Sequence, residues 1–230
     1  MTEALLQEIP ALWLTMKLAF VTTLILLVLS TPLAYWLAHT RVRYRPVIEA
    51  IVALPIVLPP TVLGFYFLIL FNPEGLIGNA WQTITNSSLL FSFSALVIVS
   101  VFYSLPFVVQ PLQNAFNAIG KQPLEKAHTL GATPVNTFFS VLLPLSKGGY
   151  LTASVLGFAH TLGEFGIVLM VGGSIPNETR VASIAIYEMV ESMQYDQAHG
   201  LSGMLLAISF FFLLAVYCAN QRSNKKKLST

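Results

Sequence analysis

Long apolar stretches separated by short polar segments dominate the sequence. Five of them are near or above the ~20 residues that a helix needs to cross ~30 Å of hydrocarbon. They cover residues 11–38, 47–71, 89–111, 145–171 and 201–219. The second holds Pro55, Pro59 and Pro60, so we expect its main chain to be interrupted there. The pattern predicts an all-α integral membrane protein: one transmembrane domain, residues 1–230, with five spanning helices.

The composition supports a membrane protein and excludes a soluble globular domain. Of the 230 residues, 55% are hydrophobic and 10% are charged, whereas soluble domains carry about 25% charged residues. The first stretch is too long for the core of a signal peptide and follows acidic residues, so we interpret it as a retained helix. Cys218 is the single cysteine, which excludes a disulfide within the chain.

Basic and acidic residues alternate between successive connecting segments. Ten of the 12 basic residues lie in three segments: Arg41, Arg43 and Arg45; Lys121, Lys126 and Lys147; Arg222, Lys225, Lys226 and Lys227. The acidic segments hold Glu3 and Glu8; Glu74; and Glu178, Glu188, Glu191 and Asp196. Because cationic loops stay in the cytoplasm, the N-terminus is expected outside and the C-terminus inside. The mixed segment 171–200 predicts a short helix on the outer face.

Residues 120–144 form the longest polar interruption before the fourth stretch, and their punctuation predicts two short helices at an angle. Pro123 suits a first helical turn, and Gly131 supplies a stop. Thr133 followed by Pro134 is a cap and first-turn pair for the second helix. Pro144 is expected to break or kink the chain where the next apolar stretch begins.

This segment resembles the EAA loop of ABC-importer permeases, whose pattern is Glu-Ala-Ala, three residues, Gly, nine residues and Ile-x-Leu-Pro. The matching positions are Glu125, Ala127, Gly131, Leu143 and Pro144; Lys126 and Val141 depart mildly. In that family the loop is a cytoplasmic coupling helix that docks into a groove of the ATPase. The resemblance implies that role for Glu125, Ala127, Leu130, Gly131, Val141 and Pro144. An ordinary amphipathic loop between membrane helices is the alternative.

Two further segments, 53–65 and 161–180, resemble permeases of oxyanion importers, with molybdate permeases nearest and sulfate and tungstate permeases next. The resemblance extends over about residues 11–220. It implies a type I ABC-importer permease fold in a homodimer, with two ATPase subunits, a periplasmic or lipoprotein oxyanion-binding protein and membrane lipid as partners, and no nucleic acid. It implies no cofactor on this chain, because ATP and Mg²⁺ belong to the ATPase. Transport would proceed by alternating access.

Glu164 is an ionisable residue within the fourth apolar stretch, and His160 lies one helical turn before it. Such groups are costly in a membrane and are often functional, so a proton relay or a metal site is conceivable. The alternative is that the two satisfy each other, or are satisfied by neighbouring helices, while nearby glycines let helices pack closely. A metal site needs a third ligand, and none stands at helical spacing. For an oxyanion path, the candidates are Thr61, Ser100, Tyr103, Ser104, Thr161 and Glu164.

The sequence contains no catalytic motif that points to an enzyme. A Gly-x-x-x-x-Gly-Lys-Ser/Thr phosphate loop is missing, and so are a nucleophile elbow and a zinc motif. ATP-driven transport therefore needs an ATPase on another chain. Two other classes stay open: a secondary transporter that uses Glu164 and His160 as a proton relay, and an accessory subunit of a membrane enzyme.

Overall fold

The computed structural model describes residues 8–228, with side-chain surroundings as far as residue 218. Glu3 lies outside the described residues, as do the side chains of Arg222 and the three lysines after it. The helices are α1 (Ile9–His39), α2 (Arg45–Val57), α3 (Pro60–Leu70), α4 (Leu76–Thr85), α5 (Phe93–Ile119), α6 (Gln122–Thr129), α7 (Pro134–Leu145), α8 (Lys147–Leu162), α9 (Gly166–Gly172), α10 (Ala182–Glu191) and α11 (Tyr195–Leu228).

Three helices are long and apolar enough to cross a membrane: α1, α5 and α11 as far as Cys218. The number rises to five if each of two bent pairs is counted as one span. The pair α2 and α3 bends by 108°, and the pair α7 and α8 bends by 73°. The expected class, an all-α membrane protein, is confirmed.

The bend between α2 and α3 follows from two consecutive prolines. Leu58 ends α2 in an extended conformation with ψ 137°, and Pro59 is extended as well. A residue that precedes proline is disfavoured in the helical region, and proline itself has no N–H to continue the hydrogen-bond ladder. Pro60 then occupies the first turn of α3, where no donor is needed.

Helix α5 is the central element and differs from its predicted bounds. It runs to Ile119, eight residues beyond the predicted end at Pro111, with Pro106 and Pro111 inside it. Its main neighbours are α1 and α8. Burial on both sides offsets the hydrogen bonds that the prolines remove, so tertiary packing overrides the local propensity. Helix α5 ends at Gly120, which has φ +69°.

The hydrophobic core lies along α5 in two clusters. One packs residues of α5 against α1, α9 and the loop before α5, and includes Leu18, Leu89, Leu96, Val99 and Ile167. The other packs the second half of α5 against α1, α2, the α6–α7 region and α8, and includes Leu26, Val108, Leu112, Phe116 and Leu142. Helix α11 is peripheral: its apolar window is 6% buried, against 50% for α5.

Helix α3 packs against α9, although about a hundred residues separate them in sequence. The contact depends on Gly64, where an added Cβ would lie 2.7 Å from the Cβ of Met170. A side chain at this position would therefore push the two helices apart. The predicted fourth stretch, 145–171, is in fact divided: α8 ends at Leu162, and α9 begins at Gly166.

Helix α10 and the preceding loop are tied to the start of α1. Arg180 bonds to Glu8 at 2.7 Å and to Glu188 at 2.8 Å. The N–H of Ala182 donates to Thr15 Oγ1 at 2.8 Å. A short helix in this segment was predicted, whereas α4 was not.

Candidate functional site

The segment 120–144 has the two-helix structure that its punctuation predicts. Pro123 lies in the first turn of α6. The chain then turns at Gly131, whose φ is +84°. Thr133 Oγ1 accepts a hydrogen bond from the Asn136 N–H at 3.3 Å, and α7 begins at Pro134. Proline, a left-handed glycine and a threonine cap thus set the geometry locally, with little help from packing.

The bend predicted at Pro144 is present but comes at Ser146, between α7 and α8. A π-helical turn over Phe138–Leu142 precedes the proline, with the Leu143 N–H bonded to Phe138 O. A new helical segment begins at Leu143, so Pro144 again occupies a first turn, where its missing N–H removes no bond. Ser146 Oγ donates to Leu142 O at 2.6 Å at the bend.

The two helices present an apolar surface that this chain leaves uncovered. Leu130 is 88% exposed, Val135 67% and Phe139 61%. A cavity of about 110 Å³ lies beside them, lined by Tyr35, Leu124, His128, Pro134, Thr137, Phe138 and Leu142. Of the predicted coupling residues, Glu125 and Gly131 are also exposed, whereas Val141 packs against the core. We call Leu130, Val135 and Phe139 the coupling surface.

A second site is a line of polar side chains between α5 and the end of α8, which we call the polar seam: Ser100, Ser104, Thr161 and Glu164, which are buried, and His160, which is half-buried. Ser104 Oγ lies 2.8 Å from His160 Nδ1 and 3.0 Å from Thr161 Oγ1. Thr161 Oγ1 donates to Gly157 O at 2.9 Å. Ser104, His160 and Thr161 form a consistent chain of hydrogen bonds if the His160 Nδ1–H donates to Ser104 and Ser104 donates to Thr161. Neutral His160 then keeps a lone pair on Nε2.

His160 is held by aromatic rings as well as by Ser104. Its ring stacks on Phe107 with centroids 3.9 Å apart and contacts Tyr103 at 4.8 Å. These contacts fix the imidazole on the α5 side. His160 is thus satisfied by a neighbouring helix, as the alternative allowed. It does not bond to Glu164, because within residues 8–228 neither carboxyl oxygen of Glu164 has a hydrogen-bond partner.

Glu164 lies in the break between α8 and α9 and is 4% exposed. Its main-chain oxygen accepts a hydrogen bond from Ser183 Oγ at 2.7 Å, which joins the break to α10. Ser100, fully buried on α5, is a polar neighbour of the carboxyl but does not have the geometry of a hydrogen bond to it. In the described part of the chain, Glu164 is therefore a buried carboxyl without a side-chain partner.

A cavity of about 380 Å³ lies where the breaks in two spans meet. Its lining is Pro60, Thr61, Tyr103, His160, Gly163, Glu164, Phe165 and Gly166. The breaks approach closely at Gly166, where an added Cβ would lie 3.0 Å from Pro60 Cβ and 3.6 Å from Thr61 Cγ2. The first turn of α3, which begins at Pro60, has no side-chain cap. We call this space the break cavity.

The break cavity collects three of the six path residues predicted: Thr61, Tyr103 and Glu164. Ser100, Ser104 and Thr161 belong to the polar seam and do not line the cavity. His160, weighed for a relay or a metal but not for the path, does line it. His160 stands one helical turn before Glu164 in the sequence, and this spacing is the feature that indicated His160. Among the described residues, no group of three or more His, Cys, Asp or Glu side chains is placed to hold a metal.

Comparison with known proteins gives the family. Residues 30–221 match the family described as binding-protein-dependent transport system inner membrane component. The chain belongs to this family. It is 55% identical over 214 residues to the molybdenum transport system permease protein ModB of Azotobacter vinelandii, covering 93% of this chain and 95% of that protein. A probable sulfate transport system permease protein of Nephroselmis olivacea is 32% identical over 214 residues, 93% of this chain and 75% of that protein.

Solved structures support the same fold. A chain of the bacterial alginate ABC transporter, crystallised with an alginate pentasaccharide-bound periplasmic protein, matches with TM-score 0.77. The match covers 95% of this chain and 80% of that chain at 20% identity. The expected ABC-importer permease fold and the predicted permease family are thus confirmed, and the chain is a membrane component of a binding-protein-dependent importer.

Proposed function

We propose that this chain is the permease of an ATP-driven oxyanion importer whose substrate is molybdate, with tungstate as a second ligand. The observation that carries the proposal is the 55% identity to a molybdenum permease over nearly the whole of both chains. The sulfate permease is markedly less similar, at 32%. The family is one of binding-protein-dependent components, which favours an importer over a proton-coupled secondary transporter.

The coupling surface is the part of the chain that suits an ATPase partner. Leu130, Val135 and Phe139 project from two short helices whose angle is set by Gly131. Burial of one such side chain contributes about 1.5–3 kcal/mol. Docking of this surface in a groove of a separate ATPase would transmit the closing of that subunit to α7 and, through the bend at Ser146, to α8. ATP and Mg²⁺ act in the ATPase subunit.

The break cavity suits the passage of an oxyanion. A dianion does not cross hydrocarbon, so it needs polar groups at membrane depth. Interrupted helices supply main-chain donors there, and Thr61 and Tyr103 add hydroxyls. Such neutral donors make a weak site, which lets the anion leave again, while the partner binding protein provides tight selectivity. We propose that two copies of the chain form the path between them and alternate between outward and inward openings.

The orientation in this proposal follows the loop charges. The N-terminus and α10 lie on the outer side, where the binding protein docks, and the coupling segment and C-terminus lie in the cytoplasm. Lys121, Lys126 and Lys147 flank the coupling surface, and Glu188 and Glu191 lie on α10.

Uptake by the reconstituted importer tests the substrate. The chain, its ATPase and its binding protein are placed in liposomes, and accumulation of labelled molybdate is measured with ATP inside or with a non-hydrolysable analogue. We expect ATP-dependent uptake that tungstate inhibits strongly and sulfate weakly. Uptake of sulfate in preference to molybdate would assign the chain to sulfate import. Uptake driven by a proton gradient without ATP would overturn the ABC-importer proposal.

A further inference from the structure

The carboxyl of Glu164 conflicts with an oxyanion path if it is ionised. It is buried, and neither oxygen has a partner within residues 8–228. The described lining of the break cavity includes no Lys or Arg that would balance a negative charge. Burial of an isolated charge is unfavourable, and a carboxylate beside a dianion adds direct repulsion.

The groups that face Glu164 from the neighbouring elements are all neutral or able to be neutral. They are Thr61 on α3, Ser100 and Tyr103 on α5, His160 on α8 and Ser183 on α10. Tyr103 and His160 are the titratable ones. His160 uses its Nδ1–H for Ser104, and in its neutral form it supplies no counter-charge.

The break cavity also has the features of an anion site. The first turn of α3 has no side-chain cap and begins at Pro60, which lines the cavity with Thr61. In this turn the N–H groups of Val62 and Leu63 donate to Pro59 O, which leaves the Thr61 N–H as the donor without a main-chain partner among residues 8–228. A free N–H at the positive end of a helix favours an anion. Gly166 brings this helix start and the break that contains Glu164 to the same space, because any side chain there would crowd Pro60.

We propose that Glu164 is held as a neutral carboxylic acid and that its side chain, whose carboxyl oxygens are shielded in this structure, turns toward the break cavity to donate its proton, in a hydrogen bond, to an oxygen of the tetrahedral oxyanion there. This inference rests on the proposed function. The proton stays on Glu164, and no bond is made or broken. A neutral acid adds a strong donor without adding negative charge, whereas the ionised form only accepts hydrogen bonds and repels the anion.

The inference predicts a specific pH dependence of uptake. The donor is present at low pH and is lost as rising pH ionises Glu164. Wild-type uptake should therefore fall with rising pH, by about tenfold per pH unit once most of Glu164 is ionised. Glu164→Gln keeps the shape, stays neutral and has an N–H donor. It should retain most of the uptake at neutral pH and lack this alkaline decline.

Control variants distinguish the pH response of Glu164 from the pH responses of the other subunits. All variants are measured in the full complex, so the pH responses of the ATPase and binding protein cancel when variants are compared. Glu178→Gln removes an exposed acid and should follow the wild-type pH profile. Glu164→Ala removes the donor and should lower uptake ~10-fold or more at all pH values. Loss of uptake in Glu164→Gln with normal insertion and ATPase binding would overturn the inference.

Infrared difference spectroscopy provides a readout that needs no active variant. The wild-type complex should show a carbonyl band of a protonated carboxyl at neutral pH, missing in Glu164→Gln, and the band should shift when molybdate is added. A band that no anion shifts, or its absence, overturns the donor role. A band that responds to sulfate, in a complex that does not transport molybdate, keeps the donor role and contradicts the proposed substrate. Uptake that requires Na⁺, with no such band, would assign a cation to the cavity instead.

Discussion

The coupling segment, residues 120–144, and the break cavity are formed in opposite ways. The coupling segment is exposed and apolar, and its shape is set by residues close together in sequence, such as Gly131 and Thr133. The break cavity has the buried Glu164 and the hydroxyls of Thr61 and Tyr103 in a mostly apolar lining. It is formed by α3, α5 and the α8–α9 break, which come from distant parts of the chain. Residues close together in sequence can determine the shape of a surface for a partner protein. A polar site in a membrane, in contrast, needs several helices to satisfy or shield each group.

The largest expected effect tests whether local backbone geometry controls the coupling surface. Gly131 has φ +84°, and an added Cβ would meet nothing within 4 Å, so the constraint is conformational and not steric. Gly131→Val should insert normally yet lose nearly all ATP-driven transport, because the turn that sets Leu130 relative to α7 is strained.

Two further glycine variants separate the effect of backbone conformation at Gly131 from the effect of adding a side chain. Gly131→Asn should keep much more transport, since Asn tolerates the left-handed region. Gly148→Val also adds a side chain in open space, but its φ lies outside the left-handed range, so it should behave nearly as wild type. Uptake and retention of the ATPase on purification are the measurements. Wild-type transport by Gly131→Val would remove the case for coupling through this turn.

A smaller effect is expected for the apolar contact itself. Leu130→Ser should weaken binding of the ATPase to the permease in nanodiscs by about 10- to 100-fold, the equivalent of one buried leucine side chain. Leu76→Ser on α4 is the matched control, because Leu76 is 90% exposed and Leu130 is 88% exposed. Equal weakening by both substitutions would show that Leu130 has no special part in docking.

Substitutions in the polar seam should mainly lower the stability of the protein. Ser104→Ala removes the hydroxyl that bonds to both His160 and Thr161, so a buried imidazole N–H loses its acceptor. We expect a loss of about 1–3 kcal/mol, seen as a lower thermal unfolding midpoint in detergent. Ser154→Ala removes a bond to Tyr150 O within α8 and should cost about 1 kcal/mol or less. A smaller shift for Ser104→Ala than for Ser154→Ala would contradict the bonding assigned to the seam.

The smallest effect is expected at the ion pairs that tie α10 to α1. Burial would raise the pKa of Glu188, but the hydrogen bond and charge of Arg180 outweigh it and lower the pKa below its ordinary value of 4.5. A lowered folded-state pKa stabilises the protein above the unfolded-state pKa, and this is lost as pH falls through the folded value.

Because Glu188 is partly exposed, the acid-dependent loss should stay below about 1 kcal/mol. It appears as a drop in thermal midpoint below pH 4.5 that is smaller in Glu188→Gln than in wild type. Equal drops in the two proteins would show that this pair contributes nothing measurable.

The sequence predicted the features that depend on local chemistry. The all-α class came from apolar length, and the two helices of segment 120–144 came from Pro123, Gly131 and the Thr133 cap. The length of α5 was not predictable from its prolines, because burial between α1 and α8 decides it. The bend before α8 was predicted at Pro144 but lies at Ser146, because the π-helical turn that moves Pro144 into a first turn has no sequence signature.

The composition of the candidate site was predictable in part, but its geometry was not. Polar residue types in apolar stretches pointed to Thr61, Tyr103 and Glu164. Nothing in the linear pattern indicated that Ser104, and not Glu164, would be the partner of His160. That choice depends on the relative rotation of α5 and α8, which many apolar contacts set together.

The contact at Gly64 has a consequence for biogenesis. At 1.5 Å per residue, the 13 residues of α2 and the 11 of α3 are each shorter than the bilayer core, and they are bent by 108°. Helix α3 finds its main packing partner, α9, only after the ribosome has made about a hundred further residues. We therefore expect the second apolar stretch to reach its final position only after α9 has been made and packs on Gly64, so that the break cavity forms late in membrane assembly.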